Sequence, residues 1–273
     1  MRAWISVRIE PSVNAQIVTD ALFAFGSGGV HETDGALVSH FPHGTSIEDL
    51  SRAITLVDPS AVISCTEAPP VDWSAWRANV SAHRIGRLTI APPWLADRTP
   101  ASETIIIEPA MAFGTGEHAT TRGVVRLMQQ LSPMPAFVAD LGAGSAVLAI
   151  AAARLGAERV IAIELDPDAI GNAEENVAAN RLSERVHVME GDAATLLPLL
   201  APVPLILANI LSSVLLEMLS VIGACVPTGG HAILSGILVE ERASMIAAFP
   251  SAGFEITAED TEEGWWSVLL SRK

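Results

Sequence analysis

Residues 137–166, FVADLGAGSAVLAIAAARLGAERVIAIELD, constrain this chain more than any other stretch. A short apolar run (137–141) reads as a buried strand. A glycine turn, an alanine-rich helix and a second strand (160–164) follow, with an acid, Glu164, at the end of that strand. An apolar strand capped by Gly-x-Gly and followed by a helix leaves bare backbone amides at a helix N-terminus. Such amides hold the charged or polar part of a nucleotide-like ligand. Glu164 stands about 20 residues past the first glycine, where a ribose-binding carboxylate is expected. Glycine turns alone are weak signals, because many serve only the turn. Combined with a correctly spaced strand-end acid, this one implies an adenosine-containing ligand.

The residues of the turn separate the candidate ligands. A dinucleotide fingerprint needs a glycine or alanine at its third position for close helix–strand packing. Here the run is Gly142-Ala143-Gly144-Ser145-Ala146-Val147, which puts valine there. Asp140, two residues before the first glycine, gives Asp-x-Gly-x-Gly-x-Ala instead. That pattern resembles the S-adenosylmethionine turn of class I methyltransferases, in which a third glycine is common where Ala146 stands.

Around this unit the chain alternates strand and helix. From 104 onward we expect strands at 104–108, 137–141, 160–164, 186–190, 205–209 and 231–237, with helices at 120–131, 168–180, 213–225 and 239–252. An antiparallel pair, 254–257 with 265–270, closes the chain. Such alternation implies an α/β fold with a doubly wound, mostly parallel sheet. The first 66 residues read as strand, helix, strand, helix, strand, a small ferredoxin-like α/β domain. Pro69-Pro70 marks its end, and residues 67–84, with Trp73 and Trp76 on a short helix at 72–80, form a linker region. A strand at 86–90 follows, and residues 85–273 form the larger domain.

Composition narrows the partners. Half of the 273 residues are hydrophobic and 17% are charged, which suits a packed core, and the net charge of −15 disfavours direct nucleic-acid binding while favouring a basic macromolecule. Lys273 is the sole lysine and tyrosine is absent, a pattern that base composition of the genome explains. Cys65 and Cys225 are far apart, lack metal-ligand spacing, and read as reduced, buried thiols of a cytosolic protein. Charges at Arg8 and Glu10 interrupt any apolar leader. The almost uncharged stretch 203–227 is broken by Asn209, Ser212, Ser213 and Glu217, so it reads as strand, turn and amphipathic helix rather than a membrane span. The acids Glu255, Glu259, Asp260, Glu262 and Glu263 read as an ordinary solvated face.

Three further segments carry polar groups that a site could use. In AFGTGEHATT (112–121), the glycines permit close backbone approach and Thr120 or Thr121 can cap a helix or donate to a ligand. His118 within it is a possible base, though a loop histidine is more often structural. Asp192, in Glu190-Gly191-Asp192-Ala193 after a strand, stands either near an adenine ring or as a turn acid capping the next helix. Asn209 ends an apolar strand and brings a neutral amide to the carboxyl edge of the sheet, where open α/β sites form.

Taken together, AFGTGEHATT, VADLGAGSAVLAIAAARLGA, IELDPDAIGNAEENVAAN, LANIL, LSGIL and EEGWWSVLLSRK closely resemble the PrmA family. Those enzymes are S-adenosylmethionine-dependent methyltransferases of protein eleven of the large ribosomal subunit. The resemblance is most specific from 107 to the end and covers nearly the whole chain. It implies cofactor contacts at Thr121, Gly142, Glu164 and Asn209, with Asn209 also in the chemistry; Gly144 of the same turn and Asp192 complete the expected cofactor set. It further implies a cytoplasmic enzyme whose N-terminal domain holds the ribosomal protein. Three departures stand out: Glu164 for a usual aspartate, Ala146 for a usual glycine and Ala119 for a frequent proline. Methylation of another target, or a non-catalytic adenosine-binding module, are the competing readings.

Overall fold

The computed structural model describes residues 4–11, 15–25, 27, 30–33, 35–42, 44–67, 80–98, 100–109 and 114–273. Gly28-Gly29, Asp34, Pro69-Pro70 and the expected helix with Trp73 and Trp76 lie outside them. The chain divides into two units, Met1–Asn79 and Val80–Lys273.

In the first unit, β1 (Trp4–Glu10), α1 (Ala15–Ala24), β2 (Val30–Thr33), β3 (Ala36–Pro42), α2 (Ile47–Val57) and β4 (Val62–Glu67) follow in order. The sheet runs β2-β3-β1-β4, and each neighbouring pair is antiparallel. This is the ferredoxin-like arrangement. The sequence shows one strand between the helices where the structure has two, because residues 30–42 fold back at Gly35, whose φ of +75 suits glycine. Val7, Ile9, Val18, Leu22, Phe41, Leu50 and Ile54 form the core. Cys65 is exposed rather than buried: β4 is an edge strand, and even Ile63 on the same face is only partly covered.

The second unit begins with a three-stranded sheet of β5 (His83–Ile85), β6 (Leu88–Ala91) and β7 (Thr104–Ile106). Gly86 is the hairpin turn between β5 and β6 rather than a strand residue. There follow α3 (Ala119–Met128), β8 (Phe137–Leu141), α4 (Val147–Leu155), β9 (Arg159–Glu164), α5 (Pro167–Ala179), β10 (Val186–Glu190) and α6 (Ala193–Leu200). β11 (Leu205–Asn209), α7 (Ser212–Cys225), β12 (His231–Leu238), α8 (Arg242–Ala248), β13 (Phe254–Glu262) and β14 (Trp265–Arg272) complete the chain. Their sheet has the order β10-β9-β8-β11-β12-β14-β13, parallel from β10 to β12. The doubly wound, mostly parallel sheet expected from the alternation is therefore present. Its central strands are apolar on both faces: Val138 packs into one core with Ile150 and Val160, while Ala139 packs into the other with Ile206 and Leu234.

Two local differences have physical causes. The helix expected at 239–252 is a short α8 between two 3-10 turns; Pro250 stands in the second, which closes at Gly253 with φ +76. β13 extends through the acids to Glu262 because those acids are not a free solvated face. Arg126 pairs with Asp260 at 2.6 Å and Glu262 at 2.6 Å, Arg122 with Glu262 at 2.9 Å and Glu263 at 3.2 Å, and Arg242 with Glu259 at 2.7 Å. Glu255 pairs with Lys273 at 3.0 Å. The acidic run thus clasps α3 and α8 to the sheet edge. Among the described residues no helix is long and apolar enough to cross a membrane.

Candidate active site

β8 is the topological switch point of the large sheet: the chain leaves it for β9 on one side and reaches β11 on the other. Open α/β sheets bind ligands at such a crevice, beyond the carboxyl ends of the strands. A cavity of about 540 Å³ opens there, within the range of small-molecule sites. It brings together Thr121, Gly142, Gly144, Glu164 and Asn209, along with Gly114, His118, Gly236 and Trp265.

The glycine turn is built by its hydrogen bonds. The amides of Gly142 and Ala143 both donate to the Ile163 carbonyl, at 2.9 and 3.0 Å. The Gly144 amide donates to Glu164 Oε2 at 2.7 Å. Glu164 Oε1 accepts from the Leu165 and Asp166 amides at 2.8 and 2.9 Å. Glutamate's extra methylene is therefore accommodated: the carboxylate bridges the turn after β8 and the end of β9. Ala146, the residue after Ser145 in the turn, sits in the left-handed region at φ 63. That strain costs about 1–2 kcal/mol, and the fully buried methyl offsets about 0.8 kcal/mol of it. Ala119 occupies the first position of α3, where proline is merely one well-suited residue.

Thr121 is fully buried on α3 and lines the cavity, and its hydroxyl has no hydrogen-bond partner among the described residues. Leaving such a group unpaired costs about 1–3 kcal/mol, which favours any ligand that offers it a polar partner. His118 caps α3: its Nδ1 lies 2.8 Å from Thr120 Oγ1, and its ring meets Trp265 edge-on at 5.0 Å. Both rings face the cavity. Asp192 is outside the lining set. It caps α6, accepting from the Ala194 amide at 3.1 Å and the Thr195 hydroxyl at 2.7 Å, which hold its carboxyl below the usual range, the hydroxyl more strongly.

Asp140 is buried too, but it faces the fold rather than the cavity. Its Oδ2 accepts the Ala149 amide of α4 at 2.9 Å, and Oδ1 has no partner among the described residues. Desolvation pushes its pKa up to about 7; the Ala149 amide opposes this and the charge of Glu164 adds to it. A raised carboxyl favours folding while protonated, so its contribution is fully present near pH 4 and is lost as pH rises toward 7. Urea unfolding from pH 4 to 8 should therefore show Asp140→Asn gaining on the parent protein up to about pH 7, then running parallel to it. A stability difference independent of pH would mean that Asp140 is ionised throughout.

One feature of the site was not read from the sequence. Asn172, Asn176 and Asn180 stand four apart on or just after α5, in GNAEENVAAN, and so share one helix face. Asn176 accepts from the Glu108 amide at 2.8 Å and donates to the Ser145 carbonyl at 3.1 Å. Asn180 exchanges two bonds with the Ile106 backbone at 2.9 and 2.6 Å. Ser145 in turn donates to the Gly114 carbonyl at 2.8 Å. Asn176 thus ties Glu108 to the glycine turn, and Ser145 of that turn holds Gly114; the regular spacing of the asparagines was the available signal.

Residues 31–273 match the family model for ribosomal protein L11 methyltransferase (PrmA). The chain belongs to this family. A ribosomal protein L11 methyltransferase of Geobacter metallireducens is 41% identical over 206 residues, 73% of this chain and 65% of the relative's length. One from Geobacter sulfurreducens is 38% identical over 266 residues, covering 92% of this chain and 87% of the relative. A crystal structure of the ribosomal protein L11 methylase of Lactobacillus delbrueckii subsp. bulgaricus aligns at a TM-score of 0.64 and 30% identity, over 71% of this chain and all of that one. The resemblance read from the sequence is thus borne out, and with it the methyltransferase class. Within this PrmA chain, the family motifs converge on one cavity, apart from Asp192.

Proposed function

We propose that this chain transfers methyl groups from S-adenosylmethionine to amino groups of the large-subunit ribosomal protein L11, on lysine side chains, the N-terminus or both. One observation carries the reading: a single cavity at the switch point joins the Gly144–Glu164 bridge, the Thr121 hydroxyl, unpaired among the described residues, and the Asn209 amide. When bound, S-adenosylmethionine would supply an electrophilic methyl group on a sulfonium. Glu164 would accept a ribose hydroxyl at the acceptor position that its three backbone amides leave open, the Gly142–Gly144 backbone would pass beside the ligand, and Thr121 would pair with a polar group on it. Asp192 follows β10, where the Gly191 amide donates to the Glu164 carbonyl at 2.8 Å. That adjacency supports its place near the adenine.

An ammonium has no lone pair, so the acceptor amine must arrive neutral. For a lysine of pKa near 10.4, this costs about 4–5 kcal/mol at pH 7. A dry cavity lowers that cost by disfavouring the charged form. The Asn209 oxygen can accept an amine hydrogen and aim the lone pair, and holding the reactants in line supplies most of the remainder. Asn209 stays neutral at all working pH values and draws no proton onto the amine.

The excess of acid over base suits a basic ribosomal protein, and the cytoplasm is the expected compartment. The N-terminal unit would hold that protein, since every described residue lining the cavity lies at Gly114 or beyond. Removing Met1–Asn79 is therefore expected to change S-adenosylmethionine affinity by less than about threefold, while methylation of the ribosomal protein falls sharply. Calorimetry and filter-bound label measure the two. Undiminished methylation by the shortened enzyme would remove the N-terminal unit from substrate recognition.

A further inference from the structure

Ile210 lies between two glycines that are remote in sequence. A Cβ placed at Gly142 would stand 2.4 Å from Ile210 Cγ2, and the next atom in its way, Ile210 Cβ, is 3.9 Å off. The isoleucine side chain therefore fills the space over the glycine turn. A Cβ at Gly236 would stand 2.3 Å from the Ile210 carbonyl oxygen, 2.8 Å from its carbon and 3.1 Å from its nitrogen. Here it is main chain, which cannot swing aside, that rests against the glycine. Gly236 has φ +82 and lies in the irregularity of β12, where pairing with β14 shifts between Leu234 and Ile237. All three residues line the cavity.

Asn209, paired with Ser235, is the last rung of β11. Beyond it the ladder no longer fixes the chain, so packing must. We infer that Ile210 is a positioning residue: clasped between the β12 bulge at Gly236 and the turn at Gly142, it fixes the Asn209 amide relative to the cofactor turn. Its β-branched side chain is stiff at χ1, so placing its backbone also places Cγ2. The two glycines let main chain and side chain pack against them without a gap. This assigns a further reason for glycine at position 142, beside its φ of +68 in the turn and the proposed passage of the ligand. The catalytic consequence rests on the methyltransferase reading, while the clasp is a matter of packing.

A double-mutant cycle on Gly142→Ala and Ile210→Ala tests the clasp, with S-adenosylmethionine affinity read by calorimetry and melting followed in parallel. Gly142→Ala should weaken binding by about tenfold or more, and adding Ile210→Ala should recover several-fold of that loss, because Cγ2 no longer blocks the new methyl. If Gly142→Ala fails to fold, folding of the double variant is the same rescue. No recovery in affinity or folding would mean that the ligand or backbone conformation alone demands glycine, and would overturn the clasp. Ile210→Ala by itself should slow single-turnover methylation about tenfold while affinity changes less than about threefold. Ile210→Val, which keeps Cγ2, should restore most of that rate. A rate equally slow in both variants, or unchanged in both, also refutes the assignment. Failure of the parent protein to bind S-adenosylmethionine would instead strike the functional reading itself.

Discussion

Asn209→Ala is expected to slow single-turnover methyl transfer by about 100-fold at saturating S-adenosylmethionine, the scale of losing one preorganised polar contact at a reacting centre. The residue ends β11 at the mouth of the crevice and lines the cavity with Gly142 and Glu164. Its loss leaves the cavity and the glycine turn in place, so cofactor affinity should fall far less than the rate. The pH profile separates its role from that of a base. Between pH 7 and 10 the variant should remain slow, yet its rate should climb with pH as the parent's does. The need for a neutral amine belongs to the substrate and survives the substitution. Wild-type rates in the variant would reduce Asn209 to a strand-end turn residue. A flat pH profile would mean that supply of the neutral amine does not limit the measured rate.

Glu164→Gln should weaken S-adenosylmethionine binding by about 100-fold. The carboxylate accepts three backbone amides, from Gly144, Leu165 and Asp166, at 2.7–2.9 Å. A glutamine has one acceptor oxygen. If that oxygen keeps Leu165 and Asp166, its NH₂ meets the Gly144 N–H donor to donor, and both the turn and the proposed ribose contact suffer. Bonds to a charged acceptor are worth about 1.5–3 kcal/mol each, so losing the equivalent of one or two gives an effect of that size. Glu164→Asp keeps the charge and should bind better than the glutamine variant. The shorter side chain has less reach toward Gly144, so some affinity should still be lost. Calorimetry on both variants decides the matter, and a glutamine variant binding as tightly as the parent would disprove the ribose assignment.

Much of this site was legible because its signals are local. The apolar strand, the glycine turn and the strand-end acid lie within 30 residues of one another, so spacing alone fixed their relation. Asn209 was legible through its position at the end of an apolar run. What stayed hidden depends on partners distant in sequence. The acids of β13 look like a solvated run until Arg122, Arg126 and Arg242 are brought against them. Helix α6 was missed because Pro198 interrupts its pattern, although the Asp192 cap marks its start. Asp192 itself shows how one acid serves two readings, since a helix cap and a ligand contact need the same residue type in the same place. The contacts of Ile210 with Gly142 and Gly236 join the ends of β8 and β11 to the irregularity in β12, and no periodicity reports them.

The most direct test of the central claim is transfer of labelled methyl from S-adenosylmethionine to purified large-subunit ribosomal protein L11. The same preparation should also be offered a lysate of cells lacking this enzyme, with the Asn209→Ala variant as control. The account predicts rapid labelling of the purified protein, one dominant labelled band of the same mass in the lysate, and label reduced about 100-fold with the variant. A dominant band of another mass would redirect the substrate. No label in either setting, from a protein that binds S-adenosylmethionine, would contradict the enzymatic reading.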